Sequence, residues 1–162
     1  PHRLVGVLAT LVGAFGESAR LGVDDVEPFL GEGGGVPPWE LTDALDKGDI
    51  RTSLDKLHRM TEGGGRHALQ IMATLQNHYG RMLMLDGADV VGEKDAARVL
   101  GLKGSTFPAR KALTQARKLG HDGVVRAVEL LAGADIDLRG GKAWPDDLVL
   151  EVLVARLARL AR

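Results

Sequence analysis

Apolar residues recur along this chain at steps of three and four, without the strict alternation of a half-buried strand, which is the signature of helices. Leu4, Val7, Leu8, Leu11, Val12 and Phe15 form a stripe wide enough for a helix buried on more than one side. Asp24 and Asp25 open a short second helix over 24–30, where acids complement the positive end of the helix dipole. Glycine-rich text at 31–35, followed by Pro37-Pro38, makes the clearest boundary in the chain. Glycine frees the backbone and proline stops helix propagation, so a linker or hinge is predicted there.

Beyond the boundary, Pro38 is well placed at a helix start and 39–46 makes two turns ending at Gly48. Asp49 is predicted to cap a helix reaching about residue 61, with Ile50, Leu54, Leu57 and Met60 on one face, stopped by the glycines at 63–65. The longest helix is predicted from 66 to about 86, carrying Leu69, Met72, Leu75, Tyr79, Met82 and Leu83. Further helices follow at 96–100, 106–119 and 123–131, broken at Gly101, Gly104 and Gly120. Pro145 starts the last helix, apolar nearly all round over 148–154, as expected of a helix packed on two sides. The pattern predicts an all-α protein: a helical bundle over 36–162, preceded by helices over 1–35.

Composition narrows the function. Apolar residues are 44% but aromatics only 4%, so stacking surfaces for bases or sugars are few. Without cysteine there is no disulfide framework, thiolate zinc site or thiol nucleophile, which fits a reducing, cytoplasmic setting. The apolar run at 4–15 imitates a signal-peptide core but is too short for a membrane helix of about 20 residues. Since Pro1 falls in mid-helix text without an initiating Met, the chain is expected to be a piece of a longer protein. Net charge is −1, yet its distribution is uneven. Residues 17–62 hold eleven acids against five bases, while 96–121 hold six bases and no acid. A local electropositive face is therefore predicted on the second of these segments.

Candidate chemistry is sparse. His67 and His78 lie about 16 Å apart along one helix, beyond the reach of one metal ion. Asp135 and Asp137 form a D-x-D that is read as solvated or capping. In G-L-K-G-S-T at 101–106, Lys103 precedes Gly104 and the flanks are helical, so a phosphate loop is not formed. No catalytic residue, metal or cofactor is assigned to the chain. The rival binding reading is a helix-turn-helix regulator: 95–117 pairs two helices around Leu100-Gly101, with Arg110, Lys111 and Arg117 on the second. A structural helix pair with a basic outer face is the plainer alternative.

Four phrases then occur in a fixed order: W-E-L-T-D-A-L-D-K-G-D at 39–49, Q-N-H-Y-G-R-M-L at 76–83, A-A-R-V-L-G-L-K-G-S-T-F-P-A-R-K at 96–111, and D-I-D-L-R-G-G from 135. Together they resemble the C-terminal part of the delta subunit of the bacterial DNA polymerase III clamp loader. Residues matching the family's pattern are Trp39, Asp43-Ala44 and Gly48-Asp49, then Arg81, Leu83 and Leu85. Ala97, Leu100-Gly101, Phe107-Pro108, Arg110-Lys111 and Gln115-Ala116-Arg117 continue the match, and Asp135, Leu138 and Gly141 close it, with Arg139 where the family has Lys. The resemblance implies a collar domain over 36–162 and the end of an AAA+ lid domain over 1–35.

What this implies is assembly rather than chemistry. The collar holds the loader pentamer together through the gamma/tau and delta prime subunits. The full delta subunit opens the sliding clamp with a domain upstream of this chain, and primed DNA is bound by the whole complex. Nucleotidyl transfer belongs to other subunits of the holoenzyme. Within the resemblance, Arg139 and Lys142 are candidates to neutralise DNA phosphates and Trp144 to stack on an exposed base. Trp144 has an alternative use as the apolar residue that staples the last helix to the bundle. On that helix Val149, Leu153 and Leu157 mark one stripe, with Val152 and Val154 off it, and a subunit interface is expected to use this set.

Overall fold

A computed structural model of the chain describes residues 36–63 and 65–162; the helices expected at 4–15 and 24–30 lie outside the described residues. The elements in order are α1 (Pro38–Asp46), α2 (Ile50–His58), α3 (Ala68–Leu85), α4 (Glu93–Val99), α5 (Phe107–Ile136) and α6 (Asp146–Leu160). No strand occurs among the described residues, which are all-α. A wide turn of π-helix follows α2 at Arg59–Gly63, and a second follows α5 at Asp137–Gly141.

The helix ends follow local chemistry closely. After α1, Gly48 N–H donates to Leu45 O at 2.9 Å and Asp49 N–H to Ala44 O at 3.1 Å, which satisfies two orphan carbonyls in a Schellman cap. Gly48 takes φ 72°, the left-handed value such a cap requires. The same pair of bonds closes α4, from Gly101 to Arg98 and from Leu102 to Ala97. Asp49 then caps α2: Thr52 N–H donates to its Oδ1 at 3.0 Å. At the start of α3, Leu69 N–H donates to His67 Nδ1 and His67 N–H to Gln70 Oε1, a reciprocal capping box with a ring nitrogen in the acceptor role.

Packing falls into two apolar clusters. The larger joins α1, α2, α3, the C-terminal part of α5 and α6 through Leu41, Leu57, Ile71, Tyr79, Val124 and Leu157, among others. Helix α6 is its strut, packing against α1, α2, α3 and α5. Each fully buried Leu or Val there contributes about 1.5–3 kcal/mol relative to exposure. A smaller cluster of Leu85, Val90, Ala96, Ala109 and Leu113 ties α4 and the first part of α5 to the end of α3. Alanine dominates where α4 meets α5, which lets short helices approach closely.

The break expected at Gly120 is present, but as a single residue inside α5: φ 70° and ψ 172° there depart from helical values. Beyond it the helix runs to Ile136, past the expected end at 131.

Candidate functional site

Five of the six bases in the segment 96–121 are exposed and Lys111 is half-buried, yet several of them also tie the domain together. Lys111 reaches back to α1, pairing with Asp43 and lying 3.8 Å from Asp46 Oδ2. Lys118 Nζ donates to the backbone oxygen of Asp46 at 2.8 Å, where the C-terminal end of α1 presents its partial negative charge. Arg117 donates to the carbonyls of Val90 and Val91 at 3.0 and 3.3 Å, fixing the loop before α4. Three of the six bases thus also make contacts within the domain, and the acid-rich segment supplies two of the carboxylates. A helix-turn-helix reader needs such side chains free on its second helix. Of the three named candidates Arg110 and Arg117 are exposed and Lys111 is half-buried; Arg110, 61% exposed, lies 3.9 Å from Glu93 with its guanidinium 5.4 Å from the Phe107 ring centroid.

Around Asp46 the same contact buries titratable groups. Asp46 is 7% exposed and its Oδ1 accepts from His78 Nε2–H at 2.8 Å. Its Oδ2 has no hydrogen-bond partner, Lys111 being too far away for one. Beside it, the buried Tyr79 hydroxyl is held well above its ordinary pKa, first by burial and then by the negative charge of Asp46. His78 and Tyr79 rings stand edge to face at 5.1 Å. These groups lie where α1, α3 and α5 meet and tie the three helices together.

The residues expected to act at the C-terminal end meet elsewhere. Between the last turns of α5 and the first turns of α6 lies a cleft of about 230 Å³. Trp144 and Lys142 line it together with Val149, Val152 and Leu153, whereas Arg139, Val154 and Leu157 do not. Trp144 is 43% exposed, with Lys142 Nζ 4.6 Å from the ring centroid. It precedes the helix by two residues and Val149 follows four into it, the spacing of a hydrophobic staple, yet nearly half its surface remains open.

Two expectations change in detail. Arg139 sits in the helical turn after α5, not in a loop; its guanidinium binds Asp135 Oδ2 at 2.9 Å and Oδ1 at 3.3 Å. That hydrogen bond, with the charge of Asp135, raises the Arg139 pKa further. Lys142 Nζ likewise binds Asp137 Oδ2 at 2.8 Å, so each candidate phosphate contact already carries a carboxylate. On α6, Val149, Leu153, Val154 and Leu157 are all buried within this domain, Val154 and Leu157 completely. Val154 therefore belongs to the internal stripe, because α6 is covered on several sides by its own bundle. Val152 alone of the five keeps appreciable surface.

Sequence reasoning passed over Arg126, Glu129, Gly133 and Arg156, which line the same cleft. Arg126 and Glu129 were legible as an i,i+3 pair, and they bond at 2.8 Å. Gly133 and Arg156 carried no local signal.

No family model matches the chain, and no curated protein or solved structure does either. No helix among the described residues is long and apolar enough to cross a membrane.

Proposed function

We propose that residues 36–162 are the collar domain of a delta-type subunit of the bacterial DNA polymerase III clamp loader. The observation that carries this reading is the ordered series of four phrases between Trp39 and Gly141. Their places in the fold support it. They fall on α1 with its Schellman turn, on the middle of α3, on α4 through the start of α5, and on the turn that ends α5. These are helix-packing and helix-capping positions, which suits a domain that works by holding neighbours.

In this reading the partners are the gamma/tau and delta prime subunits. An upstream domain of the full subunit engages the sliding clamp, and primed DNA is gripped by the assembled complex in the cytoplasm. The chain itself does no chemistry. Near Trp144, carboxylates already neutralise Arg139 and Lys142, which favours protein contact over phosphate contact on that side.

The test is co-elution of this chain with recombinant gamma/tau and delta prime from the same genome. A complex stable to gel filtration is expected. If all three proteins elute separately at concentrations of about 10 μM, a weak interaction by the standards of such assemblies, the reading fails.

A further inference from the structure

We infer that the exposed face of α5 ahead of Gly120 docks the phosphate backbone of duplex DNA without reading its sequence. The inference concerns a contact made by this chain itself and goes beyond the collar reading.

Helical spacing builds the face. Over 107–119 the buried positions are Ala109, Ala112, Leu113 and Ala116, which turn one side of the helix into the bundle. The opposite side presents Phe107, Arg110, Thr114, Arg117 and Lys118, all exposed, with half-buried Lys111 at its edge. No acid occurs within 96–121. The nearest carboxylates come from other helices: Glu93 stands 3.9 Å from Arg110 Nε, and Asp43 and Asp46 engage Lys111. Leaving Lys111 out, three cations remain. From Arg110 to Lys118 the face runs about 12 Å at 1.5 Å per residue. That is room for about three phosphates of one duplex strand, spaced roughly 3.4 Å along the axis.

The way these cations are held sets them apart. Arg98, Arg126, Arg139 and Lys142 each bond a carboxylate a few residues away, which offsets their charge. Arg117 and Lys118 bond neutral carbonyls instead, those of Val90, Val91 and Asp46. Both side chains are thereby placed in advance while keeping their full charge. Arg117 makes these bonds through Nη2 alone and Lys118 through one N–H, so each has donors left for an anion. Ordering them beforehand lowers the entropy that binding costs.

Arg110 breaks a local rule. It stands one turn into α5, where the positive end of the helix disfavours a cation, and no acid occupies that turn. Helix α6 shows the ordinary arrangement, with Asp146 and Asp147 in its first turn and Arg159 in its last. At the start of α5 the helix dipole therefore adds to the field of the cations, and both favour an anion.

Phosphate suits this face better than the other anionic partners. Protein interfaces are depleted in Lys and in charge at their centre. A helix lying on a membrane needs its apolar side free, and that side of α5 is buried in the bundle. A basic stripe along one helix is the electrostatic footprint of nucleic-acid binding, and phosphate contacts position a duplex without specifying its sequence.

The test is fluorescence anisotropy of a short labelled DNA duplex titrated with the chain, using wild type, Arg110→Gln, Thr114→Glu and the control Arg159→Gln on α6. Wild type should bind at low salt with a Kd of roughly 1–100 μM, and log K should fall against log salt with a slope of about −2.7, the value for three phosphates. Arg110→Gln should reduce that slope to about −1.8. Thr114 bonds only the Arg110 carbonyl of its own helix, so Thr114→Glu puts a carboxylate amid the cations without breaking a contact between helices. It should weaken binding at least about tenfold through like-charge repulsion, with circular dichroism unchanged and the control binding as wild type. Absence of wild-type binding at about 100 μM chain overturns the inference, and so does equal binding by wild type and both variants. A polyglutamate peptide that binds more tightly than the duplex, and is lost in the same variants, makes the face an acidic-protein site and also overturns it. Co-elution with gamma/tau and delta prime decides the collar reading separately.

Discussion

His78 and Asp46, 32 residues apart, meet through a 2.8 Å hydrogen bond where the end of α1 abuts α3. Both are largely buried, at 13% and 7% side-chain exposure, so neither can fall back on water when the other is removed. Asp46→Ala should therefore destabilise the fold by about 3 kcal/mol, the cost of breaking a buried pair from one side. A double-mutant cycle with His78→Ala should show a coupling of at least about 1 kcal/mol in urea denaturation. Additive losses would mean that the two residues pack independently.

Gly48 is predicted to be intolerant of any side chain. At φ 72° an L-residue is strained, and an added Cβ would sit 3.0 Å from Arg162 Cγ and 3.3 Å from Ala158 O. Gly48→Ala should cost about 1–3 kcal/mol. The same substitution in an Arg162→Ala background should recover only part of that cost, because the backbone contact and the strain remain. Full recovery would place the whole effect in the Arg162 side chain.

A pH dependence follows from His121, whose Nδ1 lies 2.7 Å from Asp86 Oδ2. The hydrogen bond to Asp86, and then its charge, hold the His121 pKa above the ordinary 6.5. The folded state binds this proton more tightly, so the contribution is complete below about pH 6.5 and is lost as pH rises through the folded value. Asp49 has the opposite sign: bonds from Thr52 lower its pKa below the ordinary 3.8, and its contribution fades as pH falls through the folded value. Thermal melts of wild type and His121→Gln should differ at about pH 5.5 and converge by about pH 8.5. A gap that widens with pH refutes the assignment.

Trp144→Ala separates packing from binding. With 43% of the residue exposed, its truncation should cost only about 1 kcal/mol, below the roughly 3–5 kcal/mol of a buried aromatic. If the proposed collar reading holds, affinity for the other loader subunits should fall, while primed-DNA affinity per assembled complex stays constant. A fall in DNA affinity in fully assembled loader would assign the ring to base stacking.

Sequence by itself determined the helices and most of their ends, because those depend on neighbours a few residues away. Asp49 before Ile50, glycine after α1 and α4, and three-to-four spacing from Leu69 to Met82 act within one or two turns. The exceptions are the π turns after α2 and α5, which the helical spacing did not predict. Only the tertiary structure decided where charge and apolar surface go. The basic run at 96–121 read as an outer face and is largely exposed, but Lys111 and Lys118 also reach the end of α1, about 70 residues upstream in sequence. Val154 read as surplus on α6, yet four other helices surround that helix and bury it. The cleft was partly visible in Trp144 and Lys142. The rest of its lining was not, since Gly133 and Arg156 come together only when α5 and α6 lie side by side.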